Sequence, residues 1–316
     1  MKNKKTIFGS ITAIVLLGAF ITGCKKSNGP TQVSPIDDAT QQSVTAGDQS
    51  KIENETNQCM DDANTALQGI STTRGVESFP FCNITIDSSQ KATGLIVLNY
   101  NGNNCDNTKS RSGSISIQLP YNGSTVTRWR VQGAKITLTF NNYKVTNLIE
   151  NKSLTLNGTH SITNVSGGVV ADLLTNPNSI VHKVRANMVL TFDDGTNRTW
   201  GAARTRTFSI SNSIISASIA GDTAVSGYSN TAMWGTNRIG ETFEISIPTP
   251  VVFNIYGGTC LYRPLSGVRI LNGLAHVLTV TYGVDANGNA ATGCPYGYKA
   301  NWINGQGVAK QIIKPY

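Results

Sequence analysis

Strict alternation of apolar and polar residues recurs along this chain between Ser114 and Ile247. Ser114-Ile-Ser-Ile-Gln-Leu119, Lys135-Ile-Thr-Leu-Thr-Phe140 and Ser153-Leu-Thr-Leu156 carry it, and Arg204–Ile210 and Thr242–Ile247 repeat it. A period of two sends successive side chains to opposite faces of a strand, so each segment has one buried and one wet face. That pattern suits antiparallel sheets, whereas parallel sheets are covered on both faces and read as continuous apolar runs. Asn187–Phe192 leads into Asp193-Asp-Gly-Thr196, a hairpin turn signal. No amphipathic helix of useful length interrupts residues 82–314, which argues against βαβ folds. The expected fold is all-β: an antiparallel meander forming a curled sheet or a sandwich, with one short N-terminal helix. Composition agrees with this. Only 14% of residues are charged, against about 25% in typical domains, which rules out charge-driven disorder and a coiled coil.

The first residues read as an address. Lys2, Lys4 and Lys5 precede a short apolar run, Ile7–Ile21, which is too short and too interrupted by Gly9, Ser10 and Thr12 for a spanning helix. Ile21-Thr-Gly-Cys24 follows and resembles a bacterial lipobox. The resemblance implies cleavage before Cys24 and a lipid on its thiol, with residues 1–23 as signal peptide. Several acyl chains on one residue would anchor the protein firmly to a membrane without a spanning helix. Cleavage would remove three Lys and no acid from a formal charge of +8. The remaining excess is mild, and no nucleic-acid partner is expected. Residues 24–50 are polar, contain Pro30 and Pro35, and read as a flexible tether. Residues 51–80 read as a helical lead-in. Ile52, Met60, Ala63, Ala66, Leu67 and Ile70 form an apolar stripe among acids and amides, ended by Gly75 and Pro80.

Export permits disulfides. With Cys24 acylated, five Cys remain. A hairpin from Cys82 through a turn at Ser88–Lys91 and back along Gly94–Tyr100 brings Cys82 to the same end as Cys105. A second hairpin, turning at Leu271-Asn-Gly273, does the same for Cys260 and Cys294. Cys82–Cys105 and Cys260–Cys294 are the expected pairs, with Cys59 left over. Metal ligation would need close Cys-x₂-Cys spacing or paired His, and neither is present. Strand, Tyr, Gly, polar loop, Cys and strand recur around Cys105 and Cys294. This weak repeat suggests two β units, 81–175 and 176–316.

Arg111-Ser-Gly113, Phe140-Asn-Asn-Tyr143, Leu190–Thr196, Arg204-Thr-Arg206, Gly235-Thr-Asn-Arg238, Pro248–Pro250, Val280-Thr-Tyr-Gly283 and Ile303-Asn-Gly305 follow in order. With them the chain resembles an uncharacterised group of all-β lipoproteins of the Bacteroidota over most of residues 80–305. The long insert between Tyr282 and Cys294 departs from the group. The resemblance implies envelope localisation and all-β structure, and supplies no catalytic residues.

Chemistry is sparse. His160, His182 and His276 are far apart and read as surface or strand-face residues. No nucleophile elbow, zincin helix or phosphate loop occurs. Glu241 and Glu244 fall on opposite strand faces, and Asp193-Asp194 suits its turn, so no glycosidase pair is visible. Asp285-Ala-Asn-Gly-Asn289 lacks the Gly and Glu positions of a Ca²⁺ loop and reads as a hairpin loop. Asp222-Thr223-Ala224 matches a short O-glycosylation signal. Arg128, Trp129 and Arg130, with Trp200, Arg204 and Arg206, mix bases with aromatics. On strands Arg128 shares a face with Arg130, and Arg204 with Arg206. Such a set could grip an acidic glycan or lipid head group, or be a solvated face whose Arg stems cover apolar surface. No metal or cofactor is expected. The expected function is a non-catalytic β binding module, lipid-anchored to the outer membrane, with a glycan or envelope protein as partner. A structural surface-assembly protein, suggested by dense β structure and the leftover Cys59, and a polysaccharide hydrolase are the alternatives. The residues after Cys24 lack an acidic cluster, which leans towards a periplasmic orientation.

Overall fold

A computed structural model describes residues 81–316 except 177, 262 and 275. It also describes helical positions 44, 45, 48, 49, 51–53, 55, 56, 58–60, 62, 63, 66 and 67, here called α1. The expected signal peptide, Cys24, and the tether as far as residue 43 lie outside the described residues, as do Ile70, Gly75 and Pro80.

The strands are β1 (Ile84–Asp87), β2 (Leu95–Asn103), β3 (Lys109–Gln118), β4 (Lys135–Asn147), β5 (Lys152–Asn164), β6 (Ile180–Phe192), β7 (Asn197–Ser211) and β8 (Ile214–Gly221). They continue as β9 (Thr223–Val225), β10 (Tyr228–Thr236), β11 (Thr242–Tyr256), β12 (Pro264–Asn272), β13 (Leu278–Val284), β14 (Gly297–Ile303) and β15 (Ala309–Pro315). All pair antiparallel in one sheet, ordered β1-β2-β3-β4-β5-β6-β7-β10-β11-β12-β13-β14-β15. The chain is all-β with one short helix. β5 pairs with β6 from Leu154↔Phe192 to Asn164↔His182, across the boundary expected near residue 176. The two expected units are therefore halves of one continuous sheet, because the break in sequence around Asn176 is only a long hairpin connection.

Alternation places the inner face. On β6, Ile180, His182, Val184, Ala186, Met188, Leu190 and Phe192 are buried, and the residues between them are not. α1 fills the space inside the sheet and shows how far the sheet curls. Glu53 meets Arg204 on β7 and Arg269 on β12, while Glu55 meets Lys109 on β3. Two helical residues differ by about 3 Å along the axis. β3 and β12 stand seven places apart in the order, which laid flat would be about 34 Å. One helix can touch both only if the sheet wraps around it. Among the described residues no pairing joins β1 to β15, so the sheet is curled and open, and is not a sandwich.

The helix starts inside the segment expected to be tether. Asp48 and Gln49 are helical and buried, because each finds a polar partner on the sheet. Cys59 is wholly buried on α1, and burial pushes its thiol well above the ordinary range. An enclosed thiol cannot link two copies, which removes one of the two observations behind the assembly reading and leaves the dense β structure. Cys82–Cys105 and Cys260–Cys294 are joined, with Cα separations of 5.1 and 5.5 Å.

One interruption matters for the site. β8 and β10 together occupy a single strand's place between β7 and β11. β8 pairs with β7 from Ser211 back to Arg204, and β10 takes over from Ala202 to Trp200. Between them the chain leaves the sheet as the β9–β10 hairpin. Gly221 stands at the exit, where a Cβ would lie 1.8 Å from the Asn230 carbonyl oxygen.

Candidate ligand-binding site

β7 supplies the polar part of the interior. Its even positions, Arg198, Trp200, Ala202, Arg204, Arg206 and Phe208, share the concave face. The helix meets the first of them. Asp48 Oδ2 accepts from Arg198 Nη1 at 3.2 Å, and Trp200 Nε1 donates to Gln49 Oε1 at 3.1 Å. Trp200 is thus core, fully enclosed, and away from any ligand surface.

Past the helix the same strand enters a cavity of about 1080 Å³. Ile136 on β4, Ile162 on β5, Ile215 and Ile219 on β8, and Val251 and Phe253 on β11 form apolar walls. Trp129 lines one side. Glu53, His182, Arg204, Arg206 and Arg269 supply the polar surface. Counting Arg130 at its edge, the wall carries four guanidinium groups and, among the described residues, one carboxylate.

Glu53 holds two of the four. Its oxygens each accept at 3.4 Å, one from Arg204 Nη1 and one from Arg269 Nη1. Burial alone would raise this carboxyl, but Arg269 and Arg204 bring it below its ordinary value. Burial lowers Arg204, while Arg269, which also faces Tyr282, is raised by its anionic neighbour. Both stay charged, as arginine does throughout proteins. Arg204 is 1% exposed, and its Nε and Nη2 have no hydrogen-bond acceptor.

Two histidines belong to the same region. His182 sits edge-on between Trp129 and Phe208, each ring centroid 5.1 Å away. Burial and then Arg206 lower it to about 4, so it is neutral at neutral pH with Nε2 unpartnered. His160, wholly buried on β5, is lowered to about 3 by burial and by Arg204 and Arg206. Of the expected surface or strand-face placements, both take a strand face, turned inward because their even positions on β5 and β6 point there.

Trp129 and its neighbours are not on a strand. Residues 128–131 form a turn, with Val131 N–H donating to the Arg128 carbonyl at 3.0 Å. The turn follows a loop in which Asn122 Oδ1 accepts from Ser124 N and Thr125 N. Asn and Gly in this segment favour turn geometry over extension. Arg128 and Arg130 therefore do not share a strand face. Arg128 is exposed and outside the cavity. Arg130 stands at its edge, paired bidentately with Asp172 at 2.8 and 3.0 Å. Buried Asn164 fixes the loop, donating at 2.8 Å to the carbonyls of both Trp129 and Gly168.

Of the six residues expected to contact a ligand, Trp129, Arg130, Arg204 and Arg206 meet at this cavity, and Arg128 and Trp200 do not. Sequence reasoning missed Glu53, Arg269, His182 and Asn164. No signal in the sequence ties these four together, since they come from α1, β12, β6 and β5.

The other candidate acids take structural roles. Asp194 accepts from Thr196 N at 2.9 Å within its hairpin turn, and Asp285 accepts from Asn287 N and Asn289 N in a second turn. Asp222 pairs with Arg185 and Lys183 at the foot of the β9–β10 hairpin. Among the described residues no group of three or more His, Cys, Asp or Glu is arranged to hold a metal. What fold and site define is an open antiparallel sheet curled around a helix, with a largely apolar cavity lined on one side by guanidinium groups. Compared with family models, curated proteins and solved structures, the chain matches none.

Proposed function

We propose that this chain is a non-catalytic binding lipoprotein of the cell envelope, anchored to the outer membrane through Cys24, whose concave cavity holds a small, largely apolar ligand. The cavity carries the reading: about 1080 Å³, apolar walls, and a few convergent polar groups at one side. Ligand sites usually have this make-up. A glycan would leave most of its hydroxyls facing Ile, Val and Phe, so the cavity favours a lipid-like molecule over the glycan or protein partner expected from sequence. The Lys-rich start, short apolar run and Cys24 support export and lipid attachment.

Trp129 reports on occupancy, since it lines the cavity. Single-chain amphiphiles brominated along the chain should quench its fluorescence in the full-length protein held in amphipol, and Trp129→Phe should remove that component. No quenching by any head-group type would refute the binding reading. Protease shaving of intact cells, read with an antibody to residues 82–316, tests placement. Digestion in intact cells puts the sheet on the surface, digestion only after lysis puts it in the periplasm, and recovery in the soluble fraction would refute the anchor.

A further inference from the structure

Resting on the Cys24 anchor proposed above, we infer that the sheet stands end-on on its membrane, with the hairpin tips beside the start of α1 seated in the lipid surface. These tips are residues 148–151 between β4 and β5, 193–196 between β6 and β7, 237–241 between β10 and β11, and 304–308 between β14 and β15. Strands alternate in direction, so all four lie at one end of the sheet. Turns are ordinarily filled by small polar residues. Three of these instead present large aliphatic groups: Ile149 is 84% exposed, Ile239 59% and Val308 48%, with Leu148 beside them at 43%. The turns do not need those side chains. Asn147 Oδ1 accepts from Ile149 N at 2.9 Å, Asn237 Oδ1 from Ile239 N at 3.1 Å and Asn304 Oδ1 from Val308 N at 2.8 Å. Each backbone is thus held by an Asn while the aliphatic group faces outward, the make-up of a surface that meets lipid.

The chain enters the sheet at this end. Lys51 on α1 pairs with Glu150 on the β4–β5 tip, and Arg238 on the β10–β11 tip pairs with Asp48 on α1 and Asp194 on the β6–β7 tip. Residues 25–43, read from sequence as a tether, separate Cys24 from Val44 at the start of α1. A flexible chain of about 20 residues has a root-mean-square reach of about 25 Å. The opposite end, where Trp129, Leu174 and Tyr256 border the cavity, lies about 40 Å away along a strand such as β4, which has 13 residues. A lipid on Cys24 therefore holds the tips, and not the cavity's loops, against the bilayer. The anchor raises the local concentration of the tips at the surface, so a weak apolar contact suffices. The ion pairs at Glu150 and Asp194 neutralise neighbouring charges, which leaves the aliphatic groups to set that contact.

The test uses the full-length protein, purified from membranes and returned to phosphatidylcholine vesicles. A fluorophore is attached through Ile149→Cys, Val308→Cys or Tyr256→Cys, and the enclosed Cys59 does not compete for it. Lipids with a doxyl group near the head should quench the labels at positions 149 and 308 and spare the one at 256. Leu148→Ser combined with Ile239→Ser should lower the docked-to-undocked ratio read through Val308→Cys about tenfold or more, while the protein stays with the vesicles. Vesicle-bound protein with no quenching at 149 or 308 would overturn the inference and leave the anchor standing. Protein that fails to float with the vesicles would overturn both. Quenching at 256 alone would put the cavity's end on the bilayer and overturn it. A label at 149 shielded from aqueous iodide but untouched by doxyl lipids would also overturn it, because residues 25–43 would then cover the tips.

Discussion

Removing the charge of Asp48 should loosen the helix from the sheet more than any other conservative change on α1. Asp48 is 4% exposed and holds two guanidinium groups. Its Oδ2 accepts from Arg198 Nη1 at 3.2 Å and Arg238 Nε at 2.9 Å, and its Oδ1 accepts from Arg238 Nη2 at 2.9 Å. In Asp48→Asn, Arg198 keeps its bond to the Thr236 carbonyl at 2.7 Å and its place 5.1 Å from the Phe243 ring. It loses the Asp48 carboxylate while its side chain remains fully enclosed. Leaving one member of a buried pair uncompensated costs about 3–5 kcal/mol. Arg238 adds little, since it is partly exposed and retains Asp194 at 2.8 Å. The expected loss is therefore about 3–4 kcal/mol, read as a lower urea midpoint at constant slope. Fluorescence of the enclosed Trp200, whose indole bonds Gln49 one residue further along the helix, reports the transition. Asp48→Leu combined with Arg198→Met removes both charges and should recover most of the loss, because a buried pair contributes little beyond an apolar replacement. A loss under about 1 kcal/mol in Asp48→Asn, or a double variant as unstable as the two single changes added together, would refute this account of what holds the helix.

Three further outcomes are expected. Gly113→Ala should destabilise the sheet by about 2 kcal/mol or more, since φ is +87° at the β3–β4 bulge and a Cβ would lie 2.2 Å from the Asn142 carbonyl oxygen; a neutral denaturation midpoint would contradict it. Stability should fall as pH drops from about 6.5 towards 4, by roughly 2 kcal/mol per pH unit near pH 5. The sign follows from His160 and His182, which stay neutral in the fold down to about 3 and about 4 while the unfolded chain protonates them at ordinary values. Glu244, raised by burial, works the other way, so urea melts at pH 7, 6 and 5 are best run in Glu244→Gln; a flat profile would sink the assignment. Replacing Cys260 and Cys294 by Ser should cost roughly 3–4 kcal/mol from loop entropy, and reductant should then lower the melting temperature of the double variant less than that of the parent.

Local physics made much of this chain readable. A strand's period of two is written residue by residue, so Lys135–Phe140, Asn187–Phe192 and Thr242–Ile247 announced β4, β6 and β11, and on the first two even the buried face; on β11, Glu244 and Ser246 are buried as well. The Asp193–Thr196 turn and both Cys pairs were also legible, because a short hairpin brings its ends together whatever surrounds it. Arg128–Arg130 was misread, since three residues carry no period of their own and the turn-forming Asn122-Gly123 upstream decided their geometry.

The site was legible only in pieces. Arg204 and Arg206 could be placed on one face of β7, but not whether that face looked at water or at an enclosed helix. The acids on α1 carry no mark of burial in the sequence, and their cationic partners lie between 49 and 216 residues away where the pairing is buried or partly buried. Alternation, turns and disulfide partners were determined by the sequence alone because they depend on steric and bonding rules between near neighbours. Which Arg meets which acid, and how much space the helix leaves beside β8, were decided by the tertiary structure. They depend on the curl of the sheet, which accumulates a small twist at every strand pair and exists only when all the strands are in register.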